Sequence, residues 1–137
     1  MSDVKVIWDG ARMAELLRSP TGPVGLHMIG RAEVVKQAAR AKANRRSGCM
    51  AESIVKRFTE DAEHGFAITI NCDTTSCSPQ RKSYALYVHE GTKPHVIEGN
   101  PLLAFTWHGE QVFFASVNHP GYKGNPFLRD ALPLAVV

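Results

Sequence analysis

Residues 83–95 read SYALYVHEGTKPH and residues 119–132 read HPGYKGNPFLRDAL. In the first stretch Tyr84, Tyr87 and Val88 fall at i, i+3 and i+4, a spacing that predicts a short helix over residues 84–89. Gly91 ends that helix, because glycine accepts the positive φ of a helix terminus. Thr92 is expected to hydrogen-bond local backbone, and Tyr84 and Tyr87 to bury their rings while keeping a polar tip. In the second stretch Asn125 reads as an N-cap and Pro126 as the first position of a helix over residues 127–132, stopped by Pro133. Its Phe127, Leu128, Ala131 and Leu132 make one apolar face that packs onto a sheet.

Residues 102–107 and 111–117 predict two strands joined through His108, Gly109 and Glu110, a glycine-containing hairpin turn. The second strand contains VFFASV and is apolar on both faces. Such a strand is sandwiched between layers or covered by a neighbouring subunit. Upstream, Phe66, Ile68 and Ile70 alternate with Ala67, Thr69 and Asn71, a strand with one buried face. Between these regions residues 73–82 form a polar loop without apolar periodicity.

The first half reads as helical. Val4–Trp8 is β-prone; Asp9 then caps a helix over residues 11–18, with Met13, Leu16 and Leu17 at helical spacing. Pro20, Gly22, Pro23 and Gly25 break the chain. A long helix is expected over residues 26–46, and another over 50–62 with Ile54, Val55 and Phe58 on its apolar side. Gly65 closes this half. The reading is one α+β domain over residues 1–137: a helical half at 9–63 and a sheet half at 66–132. N-terminal helices precede a small, mainly antiparallel sheet packed with the long helix and a short C-terminal helix.

Composition narrows the function classes. At 137 residues, 44% hydrophobic and 21% charged, the chain has the makeup of a globular domain with a buried core. A net charge of +3 permits contact with nucleic acid without predicting it. No apolar run approaches the roughly 20 residues of a membrane span, and MSDVKVIWDG lacks the basic and apolar regions of a secretory signal. Three cysteines, Cys49, Cys72 and Cys77, form no regular framework and read as reduced thiols in a cytoplasmic setting, although a Cys72–Cys77 bridge is sterically possible.

Three chemistries bear on the side chains present. His89, Glu90, His95, His108 and His119 suggest a metal, but Gly91 and Pro94 interrupt the H-E-x-x-x-x-H segment and prevent the helical pair of a metalloprotease. A metal-dependent hydrolase on His89, Glu90, His95 and His119 is therefore the weaker alternative. No nucleophile elbow or phosphate-cradling loop is present. The basic segment 31–46 supports a second alternative, a small DNA-binding module. At about 100° per residue, Arg31, Lys42 and Arg45 share one side, and Lys36 and Arg40 lie nearly opposite. Charge therefore wraps the helix, as on a solvated surface.

The order Y-x-x-Y-V-x-E-G-T (Tyr84, Tyr87, Val88, Glu90, Gly91, Thr92), short β region, Pro- and Gly-rich turn and N-P-F-L-x-x-A-L ending (Asn125, Pro126, Phe127, Leu128, Ala131, Leu132) resembles the tail-completion or neck proteins of long-tailed bacteriophages. Members are also called connector or minor tail proteins. The resemblance covers the C-terminal half. It implies a virion structural protein, assembled in the host cytoplasm, that forms a homo-oligomeric ring at the head–tail junction. A hexamer is expected, with a dodecamer as the other possibility. The implied partners are further copies of the chain, a stopper, tail terminator or tail tube protein, and genomic DNA passing without sequence specificity; no membrane is implied. It implies no catalytic residue, cofactor or metal. A ring needs heterologous interfaces. The candidates are Val112, Phe113 and Phe114 in the apolar strand and Thr74, Thr75 and Ser76 in a loop expected to order on docking. Arg31, Lys42 and Arg45 are the candidate DNA-facing residues.

Overall fold

Asp9 starts the first helix, α1 (Gly10–Arg18), by accepting hydrogen bonds from the backbone N–H groups of Ala11 and Arg12, each at 3.1 Å. The computed structural model describes residues 4–61, 65–78, 80 and 82–136. The segment 4–8 ahead of the cap forms no strand, contrary to its β-prone composition, and Val4, Val6, Ile7 and Trp8 are exposed. A strand needs a pairing partner, and this segment has none among the described residues.

The break after α1 is shorter than the four Pro and Gly residues suggest. Pro23 opens α2 (Pro23–Lys42), where its missing N–H costs nothing, and Gly25 lies inside the helix. Ala32, Val35 and Ala39 recur along one face of α2 and are buried. Their small size lets neighbouring elements approach the helix closely. The helix ends at Lys42, so Arg45 and Arg46 leave its surface.

The expected helix over 50–62 is a correction. Among the described residues of that span only α3 (Cys49–Glu52) is helical, and residue 62 lies outside them; Ile54–Asp61 is strand β1, antiparallel to β2 (Gly65–Cys72), with Ile54 opposite Cys72 and Asp61 opposite Gly65. Ile54 and Phe58 sit four apart, which suits one face of a helix and one face of a strand equally. The β-branched Ile54 and Val55 and the available partner strand decide for the sheet.

A 3₁₀ turn at Thr75–Cys77 leads to α4 (Ala85–Glu90). Strands β3 (His95–Trp107) and β4 (Glu110–His119) form a second antiparallel ribbon, longer than the expected strands. An irregularity between Glu98 and Leu103 hides the first part of β3 from a period-two reading. His108 and Gly109, at φ 49° and 90°, make the two-residue turn. The chain closes with α5 (Phe127–Ala131) and a 3₁₀ turn at Leu132–Ala135. Pro133 lies within that turn and does not stop the chain there. Asn125 does not cap α5 with its side chain; it is engaged elsewhere.

The molecule is α+β, as the sequence predicts, with its sheet divided into the separate pairs β1–β2 and β3–β4. One core joins α2, α3, β1 and α5 through Val35, Ala39, Met50, Ala51, Ile54, Phe127 and Ala131, with Ile70, Cys72, Tyr84 and Val88 packed at its edge. Phe127 and Ile54 are fully buried. α5 packs mainly on α2, and the ribbon β3–β4 packs against no other helix or strand beyond marginal contact.

Candidate functional site

The two sequence stretches that organise the C-terminal half meet in space. Gly91, at φ 86°, ends α4, and its N–H donates to the Tyr87 carbonyl at 2.9 Å. Beside it Thr92 and Tyr122 form an isolated antiparallel bridge, with N–H···O distances of 2.8 and 2.9 Å. A Cβ at Gly91 would lie 2.8 Å from the backbone of Lys123 and Gly124, so the close crossing itself requires glycine. The Asn125 N–H donates to the Val88 carbonyl at 2.8 Å. Its side-chain amide donates to the Lys42 carbonyl at 2.9 Å and to Asn44 Oδ1 at 2.8 Å, and Asn44 in turn donates to the Tyr122 hydroxyl at 3.0 Å. This network fixes the base of the ribbon to the C-terminal end of α2.

The motif residues take different roles there. Tyr84 and Val88 pack against the core, and the Phe127 ring meets His89 edge-on at 5.3 Å. Leu128 joins the core edge and Pro126 precedes α5. Tyr87 corrects the expectation of a buried ring: it is 61% exposed. Thr92 contributes its backbone to the bridge. Glu90 is exposed and bonds His89 Nδ1 at 2.6 Å.

Within the polar loop, residues 73–78 are held by internal hydrogen bonds. Thr74 is fully buried; its Oγ1 accepts from the Tyr84 N–H at 2.8 Å and pairs with Ser83 Oγ at 3.2 Å. Asp73 accepts from the Thr75 N–H at 3.0 Å and from its hydroxyl, which holds the Asp73 carboxyl below its ordinary range. Cys77 is disulfide-bonded to Cys49, 28 residues away, so the reading of three reduced thiols is corrected. Cys72 is the free cysteine. Thr74 therefore belongs to the interior and cannot line an interface; Ser76 is exposed and Thr75 half-buried.

Cys72 lines a cleft of about 390 Å³ with Arg57, Asp73, His89 and Phe127. Burial, and then the neighbouring Asp73, push its thiol pKa upward, so the thiolate needed for nucleophilic chemistry is disfavoured. No three His, Cys, Asp or Glu side chains converge to hold a metal ion among the described residues. His89 engages Glu90, whereas His95 and His119 face each other across the ribbon with ring centroids 5.1 Å apart. The four proposed hydrolase ligands thus lie in two separate groupings.

The basic segment loses charge to internal contacts. Lys36 and Lys56 flank Glu33 at 2.7 and 2.8 Å, and Arg40 turns inward to the Ile54 carbonyl at 3.0 Å. Arg45 lies beyond α2, which corrects its place on a shared helical face with Arg31 and Lys42. Lys42 and Arg45 are exposed near the base of the ribbon; Arg31 is half-buried, about 16 Å along the helix from Lys42 at 1.5 Å per residue.

The ribbon is left uncovered by the helices and by the other strand pair. Leu103, Phe105 and Trp107 on β3 pair with Phe114, Val112 and Glu110 on β4, which places these residues on one face. Phe105 stacks on Phe114 at 5.8 Å and meets Trp107 at 6.5 Å. Phe113 lies on the opposite face, 58% exposed. Among the described residues, no helix is long and apolar enough to cross a membrane. Comparison with protein-family models, curated protein sequences and solved structures returns no match.

Proposed function

We propose that this chain is a bacteriophage virion structural protein that forms a homo-oligomeric ring at the head–tail junction and surrounds the DNA path. The observation that carries the assembly part is surface area. The chain exposes 10733 Å² at 15.0 kDa, where a compact monomer of that mass exposes about 7,000 Å². The excess is more than two standard interfaces need at about 800 Å² per partner. A ring subunit has two lateral neighbours and others above and below. The phage assignment rests on the motif order in residues 84–92 and 125–132, whose two segments join at the base of the ribbon.

In this reading the junction of Gly91, Thr92, Tyr122 and Asn125 is a scaffold that aims the ribbon, and the ribbon is the assembly device. Lys42 and Arg45 supply modest positive charge toward the DNA path. A few such cations suit a passage, because each phosphate neutralised adds to the salt-dependent grip on DNA and strong binding would impede its movement. The ring joins neighbouring neck or tail proteins through its axial faces.

The test is electron microscopy of particles from a phage carrying a nonsense codon in this gene. DNA-filled heads accumulating apart from finished tails are expected. Intact, joined particles contradict the role.

A further inference from the structure

The ribbon and the body of the molecule carry complementary surfaces. Residues 95–119 contain Glu98 and Glu110 and none of the chain's sixteen lysines and arginines. On the body, an apolar groove of about 400 Å³ runs between α2, β2 and the C-terminal turn. Met28, Val35, Ile68, Ile70 and Leu132 line it, with Arg31 as its one charged lining residue. Among the described residues, no carboxylate pairs with Arg31.

We infer that the aromatic face of β3–β4 seats in this groove on a second copy of the chain, with Glu110 meeting Arg31. The inference deepens the ring reading by naming the two faces that meet. The ribbon of the same chain does not fill the groove. It is rooted at Tyr122 and Asn125, against Lys42 and Asn44, and Met28 lies about 20 Å back along α2 at 1.5 Å per residue. Among the described residues the ribbon itself packs against no other helix or strand beyond marginal contact. Complementarity favours a copy as the occupant: the aromatic face ends in the carboxylate of Glu110, and the apolar groove carries the cation Arg31. On that one face Trp107 and Phe114 are exposed, with Leu103, Phe105 and Val112 half-buried between them, an uncovered apolar patch of the kind that marks an interaction site.

The geometry of such a contact is heterologous: a ribbon on one side, a groove on the other. Repetition closes into a ring if the rotation permits and otherwise runs as a filament. Each subunit then buries one ribbon and fills one groove. A tryptophan and two phenylalanines beside a single charge pair match the makeup of an interface hot spot. The acidic ribbon also disfavours pairing with another ribbon, because like charges would be brought together.

Sedimentation velocity of the full chain across a wide concentration range tests this. The wild type is expected to self-associate. Glu110→Lys and Arg31→Glu are each expected to weaken association by about tenfold or more, and the double charge swap to recover most of the loss. Circular dichroism of each variant checks that it folds, and Phe114→Ser, on the solvent side of the ribbon, is expected to weaken association without altering the spectrum. Association that ignores the single swaps, or that the double swap fails to restore, overturns the inference. So does a chain that stays monomeric at every concentration. None of these results removes the junction role, which particle morphology tests independently.

Discussion

Glu33 holds α2 to β1 by accepting from Lys36, Lys56 and Gln37 at 2.7 to 2.9 Å. Lys36 first, then Lys56 and Gln37, lower its pKa from the ordinary 4.5 to about 2. The folded carboxyl thus binds its proton more weakly than the unfolded one. Its contribution to stability is complete above 4.5 and is lost as pH falls toward about 2. Glu33→Gln is expected to flatten the acid limb of stability over that window, read as urea midpoints at stepped pH. Equal acid limbs in the two proteins would show that the carboxylate is not coupled to folding. The Lys36 partner is legible as an i,i+3 pair on the expected helix, whereas Lys56 is not, since it lies on a strand that the sequence reads as helix.

Among the elements, α2 is legible as a run rich in Ala, Lys, Arg and Glu with no internal proline, and the hairpin because a glycine turn separates apolar runs. β1 was not, because a short apolar set four residues apart fits both periods and only its partner strand decides. The meeting of residues 91–92 with 122–125 could not be read locally, although the unusual density of glycine there was a signal of close backbone approach. The Cys49–Cys77 bond depends on a tertiary contact that spacing alone does not specify. It ties α3 to the 3₁₀ turn across 28 residues, so chain-entropy loss in the unfolded state is expected to add about 3.5 kcal/mol. Urea unfolding with and without reductant, and of Cys77→Ser, checks this; superimposed curves contradict it. Deleting residues 74–78 would remove this bond and the buried Thr74 together, and so would unfold the loop's supports along with any contact it makes.

For the whole molecule the decisive relation is between core and surface. Ten hydrophobic residues are buried among the described residues, whereas twenty-four large hydrophobic ones are exposed. A two-stranded ribbon is marginal in water without a third strand or a packed face. Covering the ribbon would stabilise a molecule with this distribution, which is what the proposed assembly supplies. The sequence carried part of that message in VFFASV, a strand apolar on both faces; the groove that complements it is assembled from α2, β2 and the C-terminal turn and exists only in the fold.

A cryo-electron microscopy reconstruction of the neck of an intact particle would locate this chain. A closed ring at the junction is expected, each ribbon lying on its neighbour and Lys42 and Arg45 toward the DNA. Particles that lack the chain, or hold it away from the junction, would contradict it.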